Sequence, residues 1–150
     1  MPTFHSASPA QTAALATRFA KTLLPNDCLA LHGDLGAGKT AFVRGLVAGL
    51  GGDPRAVSSP TFVLLNVYSR PPIRLSLYHL DAYRVATPDD FEAIGFPELL
   101  TQGGVVAVEW PARIQPLLPP ATTHIRLTPL SPSARQIDIE PPPGRDIDMP

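Results

Sequence analysis

The sequence predicts a three-layer α/β domain with a mixed, mainly parallel sheet and a C-terminal antiparallel hairpin. Three observations support this fold class. Short strand-like segments alternate with helical ones, and residues 105–108 are wholly apolar, as in a parallel strand covered on both faces. A glycine-rich loop at 33–40 follows an apolar segment directly and opens a helical one. Residues 123–128 and 135–140 alternate in polarity on either side of a Pro/Ser turn, which is typical of a hairpin.

The first helix is predicted from its N-terminal signals. Ser8 can cap it, Pro9 suits the first helical position, and Gln11 completes a capping box. Apolar residues then recur every four positions, at Leu15, Phe19 and Leu23. We expect this helix to continue until Pro25.

Two further helices are expected. The residues after the glycine-rich loop form one apolar helical face that Gly51 and Gly52 stop: Phe42, Val43, Leu46, Val47 and Leu50. Thr87 and Pro88 open another helix, which carries Phe91 and Ile94.

The remaining strands are read from composition and alternation. Cys28–His32 is short and apolar, 62–68 is rich in β-forming residues, and 73–81 alternates apolar with polar residues.

Length and composition favour one globular domain. Of 150 residues, 44% are hydrophobic and 17% charged, so we expect a single globular domain at 1–140 and a disordered Pro-rich tail at 141–150. The net charge of −1 does not indicate a general polyanion-binding surface. A single cysteine, Cys28, excludes an internal disulfide. The sequence contains neither a signal-peptide pattern nor a membrane-length apolar run, and we expect a cytoplasmic protein.

The segment Gly-Asp-Leu-Gly-Ala-Gly-Lys-Thr at 33–40 matches the phosphate-binding P-loop. Its glycines let successive backbone N–H groups point at phosphate oxygens, and the following helix adds the positive end of its dipole. Lys39 supplies a charge for the β- and γ-phosphates, and the Thr40 hydroxyl is a Mg²⁺ ligand. We therefore expect ATP and Mg²⁺ to bind along the loop, at Asp34, Leu35, Gly36, Ala37, Gly38, Lys39 and Thr40.

Two acidic residues end apolar strands and are candidates for the chemistry. The carboxyl ends of parallel strands form the ligand-binding edge of an open α/β sheet. Glu109 follows the more apolar and hence more central strand, so it is assigned to the metal. Asp81 is the candidate to orient the attacking water or to support a ligand of the ion. The alternative for each residue is an ordinary solvated carboxylate at the end of a strand, with no role in the chemistry.

Residues 58–61, Ser-Ser-Pro-Thr, lie between the P-loop helix and the next strand. Loops at this place often sense a γ-phosphate through a hydroxyl, and Thr61 is the candidate here. The alternative is an ordinary turn capped by hydroxyls.

Four motifs in this order and spacing resemble the TsaE (YjeE) family of small bacterial ATPases. They are 33–40, 59–62 (Ser-Pro-Thr-Phe), 78–84 (Tyr-His-Leu-Asp-Ala-Tyr-Arg), and 108–111 (Val-Glu-Trp-Pro) with Leu118 and Pro119. The resemblance implies slow, partner-dependent ATP hydrolysis in threonylcarbamoyladenosine synthesis beside the tRNA anticodon. The implied partners are the carbamoyltransferase TsaD and its companion TsaB, whose complex is reset by ATP hydrolysis; direct tRNA contact is left open.

The resemblance also assigns residues by position. Lys39, Thr40, Glu109 and Asp81 match the family's phosphate lysine, its two metal ligands and its essential aspartate, and Thr61 falls in its switch-like loop. Thr12 matches a threonine near the nucleotide base, and Trp110 and Arg113 fall in a segment near the nucleotide. Ala41 and Ala82 depart from the family pattern, which has a second threonine and a bulkier residue there.

Three other functions compete with this interpretation. A small-molecule kinase needs a lid with several arginines, but Arg84 is the one basic residue between Asp81 and Glu109. A regulatory GTPase needs Asn-Lys-x-Asp, which the sequence lacks. A nucleotide-binding module without physiological hydrolysis stays open, and hydrolysis measured with and without the partner complex separates it.

Overall fold

The computed structural model describes residues 2–34, 36–58, 65–83 and 87–149. Within these residues it contains seven strands, four α-helices and two 3₁₀ segments. The strands are β1 (Thr3–Ser6), β2 (Cys28–His32), β3 (Leu65–Tyr68), β4 (Leu77–Asp81), β5 (Val105–Glu109), β6 (Thr123–Pro129) and β7 (Arg135–Glu140). The helices are α1 (Pro9–Ala20), α2 (Lys39–Gly49), α3 (Pro88–Ala93) and α4 (Phe96–Leu99), with 3₁₀ segments at Pro54–Ala56 and Pro111–Leu117.

All seven strands join one mixed sheet in the order β1-β7-β6-β2-β5-β4-β3. The four central strands β6, β2, β5 and β4 run parallel, whereas β1, β7 and β3 pair antiparallel at the two sides. The fold class is therefore confirmed, including the C-terminal hairpin of β6 and β7.

Helices cover both faces of the sheet, which gives the three predicted layers. On one face Leu29, Leu31, Val105 and Ala107 pack with α1 and α2. On the other face Val106 and Val108 pack with Phe91 of α3, Phe96 of α4 and Ile114. Since side chains alternate along a strand, Glu109 projects to the α2 side, as do Val105 and Ala107.

The capping signals of the helices are largely confirmed. The Ser8 hydroxyl accepts a hydrogen bond from the Gln11 amide (3.1 Å), and the Gln11 side chain accepts one from the Ala7 amide (2.7 Å). Thr87 caps α3 by accepting from the Asp90 amide. α1, however, ends at Ala20, well before Pro25.

Two strands differ from expectation. The segment predicted at 73–81 is a strand over Leu77–Asp81 alone, and the segment 62–68 is described only from Leu65, where it forms β3. β1 was not predicted. It is a four-residue edge strand that depends on β7, with which Phe4 and Ile137 are paired.

The C-terminal segment 141–149 has no helix or strand and contacts the domain. The Arg145 guanidinium donates to both carboxylate oxygens of Asp27 and to the Thr22 carbonyl. Ile147 and Met149 pack against the α1–α2 core. The division of the chain at residue 140 stays a prediction.

Among the described residues, no helix combines the length and apolar character needed to cross a bilayer.

Candidate functional site

The carboxyl ends of three parallel strands form one edge of the sheet, and the candidate site lies there. β2 runs into the glycine-rich loop, β4 ends in Asp81, and β5 ends in Glu109. Asp81 and Glu109 are directly paired across β4 and β5, so their carboxylates start from adjacent positions. The sheet register thus brings the predicted acids to the mouth of the loop.

The loop adopts a backbone that only glycine accommodates easily. Gly36 and Gly38 have φ values of 80° and 103°, in the left-handed region. Gly38 is also the N-cap of α2, whose first residue is Lys39. A helix therefore begins where the predicted phosphates would lie, and its unpaired N–H groups and dipole favour an anion there.

Lys39 is buried among the loop backbone, the Glu109 carboxylate and the Trp110 ring, with 6% of its surface exposed. Its Nζ donates to the Gly33 carbonyl (2.7 Å) and lies 3.7 Å from Oε1 of Glu109. The same Nζ lies 4.0 Å from the ring centroid of Trp110, a cation–π distance. Burial lowers the pKa of Lys39, while the nearby carboxylates of Glu109, Asp81 and Asp34 act in the opposite direction.

The two oxygens of the Glu109 carboxylate face different residues, Oε1 facing Lys39 and Oε2 facing His79. Its Oε2 shares a 2.6 Å hydrogen bond with Nε2 of His79, a fully buried residue of β4. Nδ1 of His79 has no hydrogen-bond partner among the described residues. Among the described residues, the bond to Oε2 of Glu109 is therefore the one hydrogen bond of the His79 ring, and it fixes the Glu109 carboxylate.

Asp81 is 7% exposed and is fixed by the chain that follows it. Its Oδ1 accepts a hydrogen bond from the Tyr83 amide (2.8 Å). The Tyr83 ring packs on Trp110 at a centroid distance of 5.0 Å, so the strand ends of β4 and β5 are joined by an aromatic pair.

A cleft of about 270 Å³ opens at this edge of the sheet. It is lined by Pro9, Thr12, Gly36, Gly38, Lys39, Thr40, Ala41, Asp81, Glu109, Trp110, Ser133 and Arg135. Thr12 reaches it from α1, where its hydroxyl is hydrogen-bonded to that of Ser6 (2.7 Å). The structure thus brings together eight of the residues predicted at or near the site: Thr12, Gly36, Gly38, Lys39, Thr40, Asp81, Glu109 and Trp110.

Other predicted residues lie elsewhere. Asp34 and Arg113 line a neighbouring cavity of about 250 Å³, which Trp110 also borders. Ala37 belongs to the loop itself but is fully buried. Leu35 and Thr61 lie outside the described residues.

The donors in the cleft are suited to a hard cation. The Thr40 hydroxyl and the carboxylates of Glu109 and Asp81 all offer oxygen, the ligand type that Mg²⁺ prefers. No group of three or more His, Cys, Asp or Glu side chains in the described part of the chain is placed to hold a metal alone. Such a set fits an ion that also takes phosphate oxygens and water.

Arg135 is the charged residue lining the cleft that the sequence did not reveal. It begins β7, and its side chain reaches back to the carbonyls of Gly36 and Ala37. Nothing in its local sequence distinguishes it from the other arginines, because its partners lie about a hundred positions earlier in the chain.

Beside the loop, His32 and His124 form a second polar cluster. Nε2 of His32 and Nδ1 of His124 are 2.8 Å apart, and the two rings pack at a centroid distance of 5.1 Å. Burial, followed by the charge of Arg126, lowers the pKa of His32 to about 4, which favours the neutral ring.

Comparisons with known proteins agree on one family. The family model described as "Threonylcarbamoyl adenosine biosynthesis protein TsaE" matches residues 6–137. The tRNA threonylcarbamoyladenosine biosynthesis protein TsaE of Treponema pallidum is 41% identical over 134 residues, covering 89% of this chain and 96% of the relative. The protein of the same name from Rickettsia prowazekii is 38% identical over 132 residues, covering 88% of this chain and 90% of the relative.

A solved structure is similar throughout the fold. The crystal structure of YdiB from Bacillus subtilis superposes with a TM-score of 0.73 at 32% sequence identity. The match covers 91% of this chain and 82% of YdiB.

Proposed function

This chain belongs to the TsaE family, which takes part in threonylcarbamoyladenosine modification of tRNA, and from this membership we propose that it is an ATPase. In this proposal it binds ATP with Mg²⁺, hydrolyses it slowly, and supports a complex of a TsaD-like carbamoyltransferase with a TsaB-like partner.

The observation that carries the proposal is the position of Lys39. Its ammonium group lies at the start of α2, is buried, and faces the Glu109 carboxylate at 3.7 Å. Burial disfavours its charge, so an entering phosphate would stabilise the ammonium as well as fill the loop. The site is therefore prepared for a polyanion.

Thr40 and Glu109 would hold the Mg²⁺. Their oxygens line the same cleft, and the His79 contact keeps the Glu109 carboxylate in place. The ion, when bound, would neutralise charge that develops on the β- and γ-phosphate oxygens.

Asp81 would direct the water. The Tyr83 amide fixes one carboxylate oxygen, and the other would accept a proton from the attacking water. The water oxygen forms the new bond to the γ-phosphorus while the bond to the β–γ bridging oxygen breaks. ADP leaves with that electron pair, and the phosphate product or Asp81 carries the proton.

ATP hydrolysis by this chain would act on the partner complex, and the chain would not itself carry out the carbamoyl transfer. ATP hydrolysis would reset the TsaB–TsaD complex between modification cycles. Thr61, which follows α2 in the sequence, is the residue we assign to sensing the γ-phosphate.

Lys39→Met tests the nucleotide site. Methionine keeps an apolar stem against Trp110 but removes the charge, so nucleotide affinity should fall while the fold persists. ADP at about 100 times Kd should stabilise the wild-type protein by about 2.7 kcal/mol and the variant much less. Melting temperatures with and without nucleotide measure this. Equal stabilisation of both proteins would refute the assignment of the phosphate site.

A second experiment tests the coupling and separates the ATPase from a binding module. Affinity for a TsaB–TsaD complex is measured with a non-hydrolysable ATP analogue and with ADP, in wild type and Thr61→Ala. We expect a preference of about fivefold or more in wild type, which the variant loses. Hydrolysis is followed in parallel. If the complex gives no increase in phosphate release, the module without hydrolysis is the better description.

A further inference from the structure

The Arg135 side chain connects the C-terminal hairpin to the glycine-rich loop. Its Nη2 donates to the Gly36 carbonyl and its Nε to the Ala37 carbonyl, both at 2.9 Å. On the hairpin side, Nη1 donates to the carbonyls of Ser131 (2.9 Å) and Ala134 (2.8 Å). All three guanidinium nitrogens are therefore used, and all of these contacts are with backbone carbonyls.

Holding these carbonyls also orients the loop amides. In a planar trans peptide the C=O and the following N–H point in opposite directions. The peptide that carries the Ala37 carbonyl also carries the Gly38 N–H, and Gly38 lines the cleft. The Ala37 N–H is already used in a turn with the Asp34 carbonyl (3.0 Å). Among the described residues, no backbone hydrogen bond uses the Gly38 N–H, so Arg135 fixes the peptide of this pair whose N–H is not used within that part of the chain.

The charge of Arg135 has no carboxylate partner within the described ranges. Arg126 and Arg145, in contrast, form ion pairs with Glu140 and Asp27. Arg135 lines the same cleft as Lys39, so two cationic side chains face one cavity. An arginine is always protonated, and its field therefore favours an anion in the cleft at every physiological pH.

We infer that Arg135 is a positioning residue for the phosphates of a bound nucleotide, which acts by fixing the Ala37–Gly38 peptide with a two-pronged contact. This inference rests on the proposed nucleotide site. It predicts that phosphate binding needs the planar guanidinium group of Arg135. Positive charge alone is insufficient, because a lysine ammonium cannot reproduce two parallel N–H contacts.

The test compares Arg135→Ala and Arg135→Lys with wild type by calorimetric titration of ADP and of inorganic pyrophosphate. Both variants should bind each ligand about tenfold or more weakly, as expected for loss of charge-assisted hydrogen bonds. Pyrophosphate lacks the base and ribose, so a loss with this ligand locates the effect at the phosphates. Melting temperatures without ligand show that each variant is folded.

Two control variants separate other causes. Ser131→Ala loosens the same hairpin turn, where the Ser131 hydroxyl accepts from the Ala134 amide, but leaves the Arg135 contacts to the loop. Arg126→Ala removes one positive charge from the same hairpin. Both should bind within about twofold of wild type, a change of less than about 0.5 kcal/mol.

Three results would overturn the inference. If Arg135→Lys binds with wild-type affinity, the planar guanidinium group is not required. If Arg135→Ala binds normally while Lys39→Met does not, Arg135 has no positioning role. A loss in either control as large as in Arg135→Ala assigns the effect to the turn or to overall charge. If wild type binds neither ligand, the proposed nucleotide site fails as well, and that outcome is distinct from the others.

Discussion

The candidate site concentrates buried charge in a small volume. Lys39, Asp81 and Glu109 are each exposed by less than a tenth of their surface. Burying charged groups is costly unless they are paired and hydrogen-bonded, and here Nζ of Lys39 lies 3.7 Å from the Glu109 carboxylate. The contacts of Glu109 with His79 and Lys39, and of Asp81 with the Tyr83 amide, hold the two carboxylates in different surroundings. Different surroundings suit different roles.

At this scale we expect Glu109→Gln to weaken the Mg²⁺ dependence of nucleotide binding more than Asp81→Asn does. Glu109 lies beside Lys39, and an amide oxygen is a poorer ligand for a hard cation than a carboxylate. Titration of Mg²⁺ at fixed ADP, in both variants and wild type, gives the midpoints. A shift of about tenfold is expected for Glu109→Gln.

The comparison with Asp81→Asn is its own control, since both changes are isosteric and remove one charge from the same cleft. If Asp81→Asn shifts the Mg²⁺ midpoint further, the two roles must be exchanged.

Among the elements, α1 and α2 pack so closely that glycine is required at their contact. A Cβ on Gly45 would lie 2.2 Å from the Ala13 carbonyl oxygen and 2.6 Å from the Ala16 Cβ. The Thr17 hydroxyl crosses this contact to donate to the Gly45 carbonyl (3.1 Å). Because α1 carries Thr12 and α2 begins with Lys39, this packing sets the width of the cleft between them.

Gly45→Ala should therefore destabilise the protein although alanine is the better helix former. Overpacking costs about 1–3 kcal/mol, which exceeds the gain in helix propensity of about 1 kcal/mol. We expect a fall in melting temperature on the order of 5 °C.

Arg44→Ala, at the preceding exposed position of α2, is the matched control and should change the melting temperature little. A Gly45→Ala variant as stable as this control would mean that the two helices separate without cost.

At the scale of the whole molecule, the sequence predicts least clearly whether the C-terminal segment belongs to the folded domain. Its prolines predict a disordered tail, which stays a prediction, and Arg145 forms a bidentate ion pair with Asp27, just before β2. These side chains are 26% and 12% exposed, so the pair is partly shielded from water. Ile147 and Met149 add apolar contacts with the main core.

Removal of residues 141–150 should lower the melting temperature by several degrees, since it uncovers apolar surface and leaves Asp27 without its partner. ADP affinity should stay within about twofold of wild type, because none of the described residues 141–149 lines the cleft. Arg145→Gln in the full chain isolates the ion pair. An unchanged melting temperature after truncation would place the domain boundary at residue 140, as the sequence predicts.

The parts of the fold and site that sequence predicts are those specified locally. The P-loop is contiguous, and period-two alternation puts His79 on the same face of β4 as Asp81. The His79–Glu109 contact itself depends on the pairing of two strands, which no local pattern reveals. β1 likewise forms because β7 is beside it, and Arg135 is joined to Ala37 across 98 positions of sequence.

That long connection has a consequence for the order in which the protein is made. The glycine-rich loop leaves the ribosome first, and Arg135, which donates to its carbonyls, is synthesised 98 positions after Ala37. A nascent chain that ends before residue 135 carries the complete P-loop motif without the side chain that fixes its peptides. If Arg135 positions the phosphates as inferred, such a chain would bind a nucleotide more weakly than one that includes the hairpin of β6 and β7.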